Sequence, residues 1–247
     1  MKHNPKAAIS IAAALSLAHP SAALADGTWT VLLGVGAGLG YYEGDDTEVN
    51  PFPYISYEID GLQVGLGGIS YTLPGSEVLQ VSFGVSPRFA PDFPDTDLFD
   101  GLDRDMTVEA TISATYQLDA GLSASVGFRH DLLGEHGGYV LEASGARSFA
   151  AGPAFVTMSA GARHRDDDLN AYLIGVSNAE ASALRQAYAP GSTTTPFGGL
   201  SVTLPVAENL AVLGNAEFEY LGDSYRDSPL VERRFSSSVS LGLAYSF

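Results

Sequence analysis

The chain has 247 residues with 29 acidic and 12 basic side chains, and its formal net charge at pH 7 is −17. This negative charge argues against DNA or RNA as a partner, because phosphate binding requires clustered lysine and arginine. The sequence contains no cysteine, so no disulfide can stabilise the fold, but its length is sufficient for one domain with a full core.

The first 25 residues predict a cleaved secretory signal peptide. Lys2 and Lys6 precede a short apolar run at 7–17, and Ala23-Leu24-Ala25 fits an A-x-A cleavage signature. We therefore expect residues 26–247 to form the mature protein as a single domain. They contain no run of about 18 apolar residues, which argues against a membrane-spanning helix.

Apolar and polar residues alternate along most of the remaining chain. The alternation is unbroken in 106–118, and a period of two is typical of a strand whose two faces meet different surroundings. A short helix could form only within 178–188. We predict twelve strands, at 29–41, 50–58, 62–72, 78–89, 106–118, 121–131, 138–149, 154–165, 170–176, 195–205, 209–221 and 236–247.

A soluble sandwich and a transmembrane barrel both use such strands, and three features favour the barrel. Most of the strands approach the length of about 9–11 residues that spans a bilayer. Aromatic residues such as Trp29 and Tyr220 lie near strand ends, as in the belts of membrane proteins. The presumed inner faces also carry charge, which is costly in a dry core. We predict that Arg88, Glu109, Arg129, Glu142, Glu217 and Glu219 face the lumen of a single antiparallel all-β barrel.

The tight turns leave the strand count open. An even number of strands must separate turns at the same end of a barrel, but three predicted strands separate Asp60-Gly61 from the turn at 119–121. Either Gly67-Gly68 divides 62–72 into two short strands, or some tight turns lie at the other end. The sequence does not decide between these alternatives, and ten strands also remain possible.

Five segments carry a resemblance to a known family. They are YYEGDDTEVNPFPYI (41–55), GLDRDMTVEA (101–110), GEHGG (134–138), YLIGVSNAEA (172–181) and LGDSYRDSPLV (221–231). In this order they resemble the MipA/OmpV family of outer-membrane proteins in Gram-negative bacteria. The resemblance implies an outer-membrane location in contact with lipid. It also implies a scaffold role, with a lytic transglycosylase and a penicillin-binding protein as partners.

The last strand also resembles the C-terminal signal of outer-membrane barrels. Val239, Leu241, Leu243, Tyr245 and Phe247 alternate with small or polar residues. By this resemblance, Tyr245 and Phe247 are the positions that the barrel assembly machinery would recognise. An unpaired strand edge with an aromatic anchor is suited to binding by strand addition.

Two other functions remain open. Inner glutamates could favour cations in a small channel, because rings of like charge select ions of the opposite sign. Long acidic loops could instead belong to a surface adhesin.

The sequence offers no coherent catalytic or metal site. His130, Asp131, Glu135 and His136 lie within seven residues, but their spacing is not that of a zinc site, and His164 before 166–168 adds no further pattern. The acidic loops 43–48 and 92–105 lack EF-hand spacing, so solvated loop charge is favoured over calcium binding. We therefore expect no enzymatic activity, no metal and no cofactor.

Overall fold

The structure is a computed structural model that describes residues 27–76 and 78–247, so the expected signal peptide lies outside the described residues. This part of the chain contains twelve strands and two helices. The strands are β1 (Thr28–Leu39), β2 (Glu48–Ile59), β3 (Leu62–Gly65), β4 (Gly68–Thr72), β5 (Leu79–Arg88), β6 (Thr107–Asp119), β7 (Leu122–Asp131), β8 (Tyr139–Ala151), β9 (Ala154–Arg165), β10 (Thr193–Ala207), β11 (Leu210–Tyr220) and β12 (Phe235–Ser246). The helices are α1 (Asp167–Ile174) and α2 (Asp223–Arg226).

The strands form one closed antiparallel barrel in which each strand pairs with its neighbours in sequence. β12 pairs with β1 in a register that sets Gly242 opposite Gly34, and this pairing closes the wall. At the end of this seam the backbones of Phe247 and Trp29 exchange two hydrogen bonds. The prediction of an antiparallel barrel with about twelve strands is therefore confirmed.

The predicted strand 62–72 is a short hairpin, β3 and β4, and this finding resolves the question of the tight turns. Leu66-Gly67 turns the chain, and Gly68 adopts a φ of 118°, a conformation that favours glycine. A Cβ atom on Gly68 would also lie 2.1 Å from the Val85 carbonyl oxygen. Four strands now separate Asp60-Gly61 from the turn after β6, so both turns lie at the same end of the barrel.

The predicted strand 170–176 is wrong, because most of this segment belongs to helix α1. Asp166 caps the helix N-terminus by accepting a hydrogen bond from the Leu169 N–H. The negative charges of Asp167 and Asp168 in the first turn stabilise the helix, because they lie near the positive end of its dipole. The segment 178–188 has no helix. Neither helix in the described part of the chain is long and apolar enough to cross a bilayer.

The outer face of the wall is apolar, as the alternation predicts. Exposed apolar side chains cover it on every side, for example Leu33, Ile112, Val126, Met158 and Leu241. Inside the barrel, Leu32, Leu213 and Ala244 form a small buried cluster against which Phe52 and Tyr54 pack. This cluster fills the side of the lumen next to β1, β2, β11 and β12.

Four loops at the end opposite the tight turns pack together into a structure that we call the cap: residues 40–47, 89–106, 166–192 and 221–234. Its core contains seven buried hydrophobic residues, namely Tyr42, Phe99, Ile174, Val176, Leu221, Tyr225 and Leu230. Because each of the four loops contributes to this core, the cap is held by the same burial of apolar surface that stabilises a soluble domain.

The β3–β4 hairpin is too short to cross a bilayer. β3 has 4 residues and β4 has 5, whereas a spanning strand needs about 9–11. Its tip carries Leu66, whose side chain is 55% exposed, whereas three of the tight turns carry an acidic residue. These features place the tip inside the hydrocarbon layer.

Replacing Leu66 by arginine is expected to lower the free energy of unfolding by about 2–4 kcal/mol, because the charge would lie near the middle of the bilayer. Arginine at Ala120, in an exposed tight turn at the barrel end, is the control, and we expect a change within about 0.5 kcal/mol there. Urea unfolding of both variants in lipid vesicles measures the difference. Equal losses of stability would show that the hairpin tip does not lie in hydrocarbon.

Candidate functional site

A cavity of about 2580 Å³ occupies the lumen. It extends from Gly61 and Gly121 at the tight-turn end to Tyr41 and Phe99 in the cap. Much of its wall consists of small polar side chains, including Ser113, Thr115, Ser125, Ser144, Ser159 and Ser201. The alternation of the five strands from β6 to β10 places these side chains inward, so this side of the lumen is polar and accessible to water.

Ion pairs join neighbouring strands on the inner wall of the upper lumen, beneath the cap. The Arg88 guanidinium donates to a Glu109 carboxylate oxygen at 2.6 Å, and His136 Nε2 lies 3.4 Å from the same carboxylate oxygen. Glu109 is buried, with 1% of its surface exposed. A buried carboxylate is stabilised by such partners, and removal of the arginine would leave a costly unpaired charge.

A second group of ion pairs joins β8, β9 and β11. Arg163 donates to Glu142 at 2.8 Å and to Glu219 at 2.7 Å, and Arg165 donates to Glu219 at 2.6 Å. The Thr195 hydroxyl also donates to Glu219. Opposite charges therefore alternate along this part of the wall.

The network also connects the barrel to the cap. Arg165 lies 5.9 Å from the centre of the Tyr225 ring, which belongs to helix α2 of the cap. A cation close to an aromatic face is attracted by the ring electrons. The cap is thus attached to the wall at a charged position directly below its own apolar core.

The structure brings most of the predicted lumen charges to the cavity. Arg88, Arg129, Glu142, Glu217 and Glu219 line it, and Glu109 is buried beside Arg88. Within the described residues, Arg129 has no acidic oxygen within 4.0 Å.

Sequence reasoning missed Arg163 and Arg165, which hold the network together. Both lie at odd-numbered positions of the predicted strand 154–165, on the same face as Ser159, which lines the cavity. The alternation could therefore have identified them as lumen-facing charges.

Two arginines hold the cap loops against each other. Arg104, in loop 89–106, donates to the Tyr172 carbonyl at 3.0 Å and to the Glu180 carboxylate at 2.6 Å in loop 166–192. Arg185, in loop 166–192, reaches in the opposite direction and donates to the carbonyls of Leu98 and Asp100. These contacts are reciprocal, so the two loops can separate only if both sets are broken.

The ion pair of Glu180 is resistant to acid. Burial tends to raise the pKa of its carboxyl group, but hydrogen bonds from Arg104 and Ser177 outweigh burial and lower the pKa to about 2. Because the folded pKa lies below the usual 4.5, the ion pair contributes its full stability above pH 4.5. That contribution is lost as the pH falls from there through about 2.

The histidine and acidic groups that the sequence singles out have structural partners. Asp131 accepts hydrogen bonds from the Thr107 hydroxyl and from the N–H groups of Leu133, His136 and Gly137, so its carboxylate shapes the loop after β7. The carboxylates of residues 166–168 lie within 4.8 Å of one another. The Asp166 carboxylate already accepts a hydrogen bond from the Leu169 N–H at the N-terminus of α1.

Tyr245 and Phe247, the predicted insertion signal, lie on the outer face near the tight-turn end. Their side chains are exposed, and their ring centres are 5.7 Å apart. The aromatic pair therefore lies on the lipid-facing side of the seam between β12 and β1.

Replacing Arg185 by methionine is expected to destabilise the cap by about 3 kcal/mol, because the carbonyls of Leu98 and Asp100 would lose their donor. Limited proteolysis should then cleave the cap loops at least about tenfold faster, since local opening controls cleavage. Arg226, whose ion pairs are at the surface, provides the control variant R226M, for which we expect no change in the cleavage rate. Similar cleavage of both variants would contradict a cross-linking role for Arg185.

Comparison with known proteins supports the architecture. The family described as MltA-interacting protein MipA matches residues 31–247. MltA-interacting protein from Escherichia coli K12 is 29% identical over 243 residues, which cover 96% of this chain and 95% of that protein. Outer membrane protein OmpV from Vibrio cholerae is 25% identical over 226 residues, covering 90% of this chain and 88% of that protein.

Solved structures resemble the barrel less closely. The KdgM porin has a TM-score of 0.44 and 10% identity, over 87% of this chain and 99% of that chain. The family match spans almost all of the barrel and the cap, and its named relatives include outer-membrane proteins. The chain therefore belongs to the MltA-interacting protein MipA family, and it is a β-barrel protein of the Gram-negative outer membrane.

Proposed function

We propose that this barrel is a non-enzymatic scaffold that holds cell-wall enzymes at the periplasmic face of the outer membrane. The observation that carries the proposal is the nearly full-length similarity to a protein named for its interaction with MltA. The proposed partners are a lytic transglycosylase of the MltA type, which that name indicates, and a penicillin-binding protein, which the family resemblance of the sequence implies.

The distribution of surfaces supports this proposal. The tight turns of outer-membrane barrels face the periplasm, and the longer loops face outward. In this chain the longer loops are folded into the cap, so the face available to periplasmic enzymes consists of the tight turns. Exposed carboxylates occupy three of these turns: Asp60, Asp119 and Glu208. We call these three residues the periplasmic rim.

The charge of the rim defines the kind of surface that would bind to it. Three acidic side chains on separate turns surround the periplasmic end of the barrel, and a partner with a basic face would be steered toward them. Such attraction between exposed charges is screened by salt, with a Debye length of about 8 Å at physiological ionic strength. Binding at the rim should therefore weaken as salt is added.

The test is retention of the two enzymes from the source organism on detergent-solubilised, immobilised barrel. We expect both enzymes to be retained at low salt. The triple variant D60N/D119N/E208Q should retain less of the enzyme that contacts the rim, because its attractive charge is gone. Asparagine suits position 60, where the backbone φ is 48°.

The matched control is D95N/D97N/D103N, which removes three exposed acidic charges from cap loop 89–106 instead. It should retain both enzymes as the unmodified barrel does. Failure of the unmodified barrel to retain either enzyme would overturn the scaffold proposal. Equal loss in both triple variants would reject the rim as the docking surface.

A second candidate function is a small channel, and the polar cavity is the observation that favours it. Two features count against ion conduction. The cap packs over the outer end of the lumen, and the inner glutamates Glu109, Glu142 and Glu219 are paired with arginines. Wall charges that alternate in sign do not form the ring of like charge that selects cations.

Planar-bilayer recording separates the two functions. We expect no conductance steps from the unmodified barrel, because the cap occupies the outer end of the pathway. Regular steps with a preference for cations would favour the channel and would show that the cap leaves an open path.

A further inference from the structure

The wall of the barrel is incomplete between β2 and β5. β2 starts at Glu48 but pairs with β3 only through Ser56–Ile59, and β5 ends at Arg88 but pairs with β4 only through Ser82–Val85. We call the opening above the hairpin tip the notch; residues 48–55 and 86–88 form its two sides. At about 3.3 Å per residue, the β2 side is roughly 25 Å long when measured along the tilted strand.

The backbone at both sides of the notch is adapted to remain unpaired. The Ile55 carbonyl accepts a hydrogen bond from Leu66, so the alternate residues 49, 51 and 53 direct their backbone groups into the notch. The Val81 carbonyl accepts from Leu73 in the same way, so residue 87 faces the notch from β5. Three of these notch-facing positions are proline: Pro51, Pro53 and Pro87.

Proline has no N–H, so its position at a free strand edge removes a donor that lipid could not satisfy. Three such residues also deprive a foreign strand of the donors that it would need to add to this edge. No other strand pairs with either side of the notch in the part of the chain that the structure describes. The prolines therefore lower the number of unpaired donors along the opening and make this edge unsuited to strand addition.

The outer side of the notch meets hydrocarbon. Val49 on β2 and Val85 on β5 point outward and are exposed, with Phe89 directly above β5. The hairpin tip below carries the exposed Leu66. A spanning wall is apolar at this depth on all sides, so acyl chains of the outer leaflet lie against the notch.

The upper part of the inner side of the notch meets the cavity, whereas Phe52 and Tyr54 on β2 pack below it against the Leu32 cluster. Asn50 on β2 and Arg88 on β5 line the cavity on the two sides of the opening. Above them the cavity is lined by aromatic cap residues, among them Tyr42, Phe93 and Phe99. An apolar chain that enters through the notch would thus find an apolar ceiling within the lumen.

We propose that the notch is a lateral portal through which the apolar chain of a lipid or lipid-like amphiphile enters the upper lumen from the outer leaflet. Acidic residues of the cap, Asp45, Asp46 and Asp92, line the cavity near this opening. They disfavour an anionic headgroup and favour a neutral or cationic one. This proposal concerns the upper lumen and is independent of the scaffold role of the periplasmic rim.

The portal can be tested with single tryptophans and phosphatidylcholine whose acyl chains are brominated, because bromine quenches tryptophan at close range. Trp29 is the one tryptophan of the sequence, so W29F is a background without signal. On this background we compare N50W, at the inner edge of the notch, with S240W and V49W. Ser240 and Asn50 are the partners of Gly36 on the two strands that flank β1, so they lie at similar depth and both line the cavity. Ser240 differs in that its strand is paired on both sides. Position 49 faces lipid.

If acyl chains enter the lumen, brominated lipid quenches N50W nearly as strongly as V49W and leaves S240W largely unquenched. Quenching of N50W no greater than that of S240W would overturn the portal. S86W provides a second reporter on the β5 side, where Ser86 shares the inward face of Ser82 and Arg88, should N50W fail to fold. Heat-modifiable migration on gels identifies the folded variants.

Discussion

The structure depends on one constraint: backbone N–H and C=O groups in hydrocarbon must find partners within the chain. The pairing of β12 with β1 meets this constraint for the whole wall, down to the bonds between Phe247 and Trp29. A sheet with that seam open would expose two long edges to lipid. At the notch proline only reduces the demand for partners, because Pro51, Pro53 and Pro87 lack the N–H donor but keep their carbonyl groups.

Closure of twelve strands creates a second problem, which is an interior too wide to be filled by side chains from the wall alone. One side of the lumen is filled by Phe52 and Tyr54 packed on the Leu32 cluster. The glycines of β1 make this possible, since a Cβ atom on Gly34 would lie 2.6 Å from the Phe52 ring. The other side stays polar, and ion pairs of Arg88, Arg163 and Arg165 join strands of the wall at its upper end.

The sequence predicts the wall well because the wall repeats a local rule. Alternation over 106–118 and 154–165 predicts β6 and β9 almost residue by residue. The same rule fails at 170–176, where Tyr172, Leu173 and Ile174 form an apolar run that suits a strand as well as a helix. Asp166 caps the N-terminus of α1, and Ile174 is buried in the core formed by the loops, so the segment becomes a helix. This burial depends on contacts between distant segments, which a local pattern does not encode.

The cap and the charge network could not be predicted for a similar reason. Tyr42 forms a bridge with Val231, and Arg185 binds the Leu98 carbonyl, across separations in sequence that no periodicity encodes. Inward charges were predictable one at a time, but their pairing depends on the tilt and register of the closed wall. That pairing changes the functional interpretation, because paired glutamates do not act as a cation filter.

The cap and the notch together determine how the lumen can communicate with its surroundings. The cap core packs over the outer end of the lumen, whereas the notch opens the wall sideways at the depth of the outer leaflet. Solutes from outside the cell therefore meet a folded apolar core, and molecules dissolved in the membrane meet an opening. The periplasmic rim lies at the other end of the barrel. Enzymes bound there would not obstruct the notch, so a scaffold at one end and a lipid-accessible chamber at the other are compatible within a single barrel.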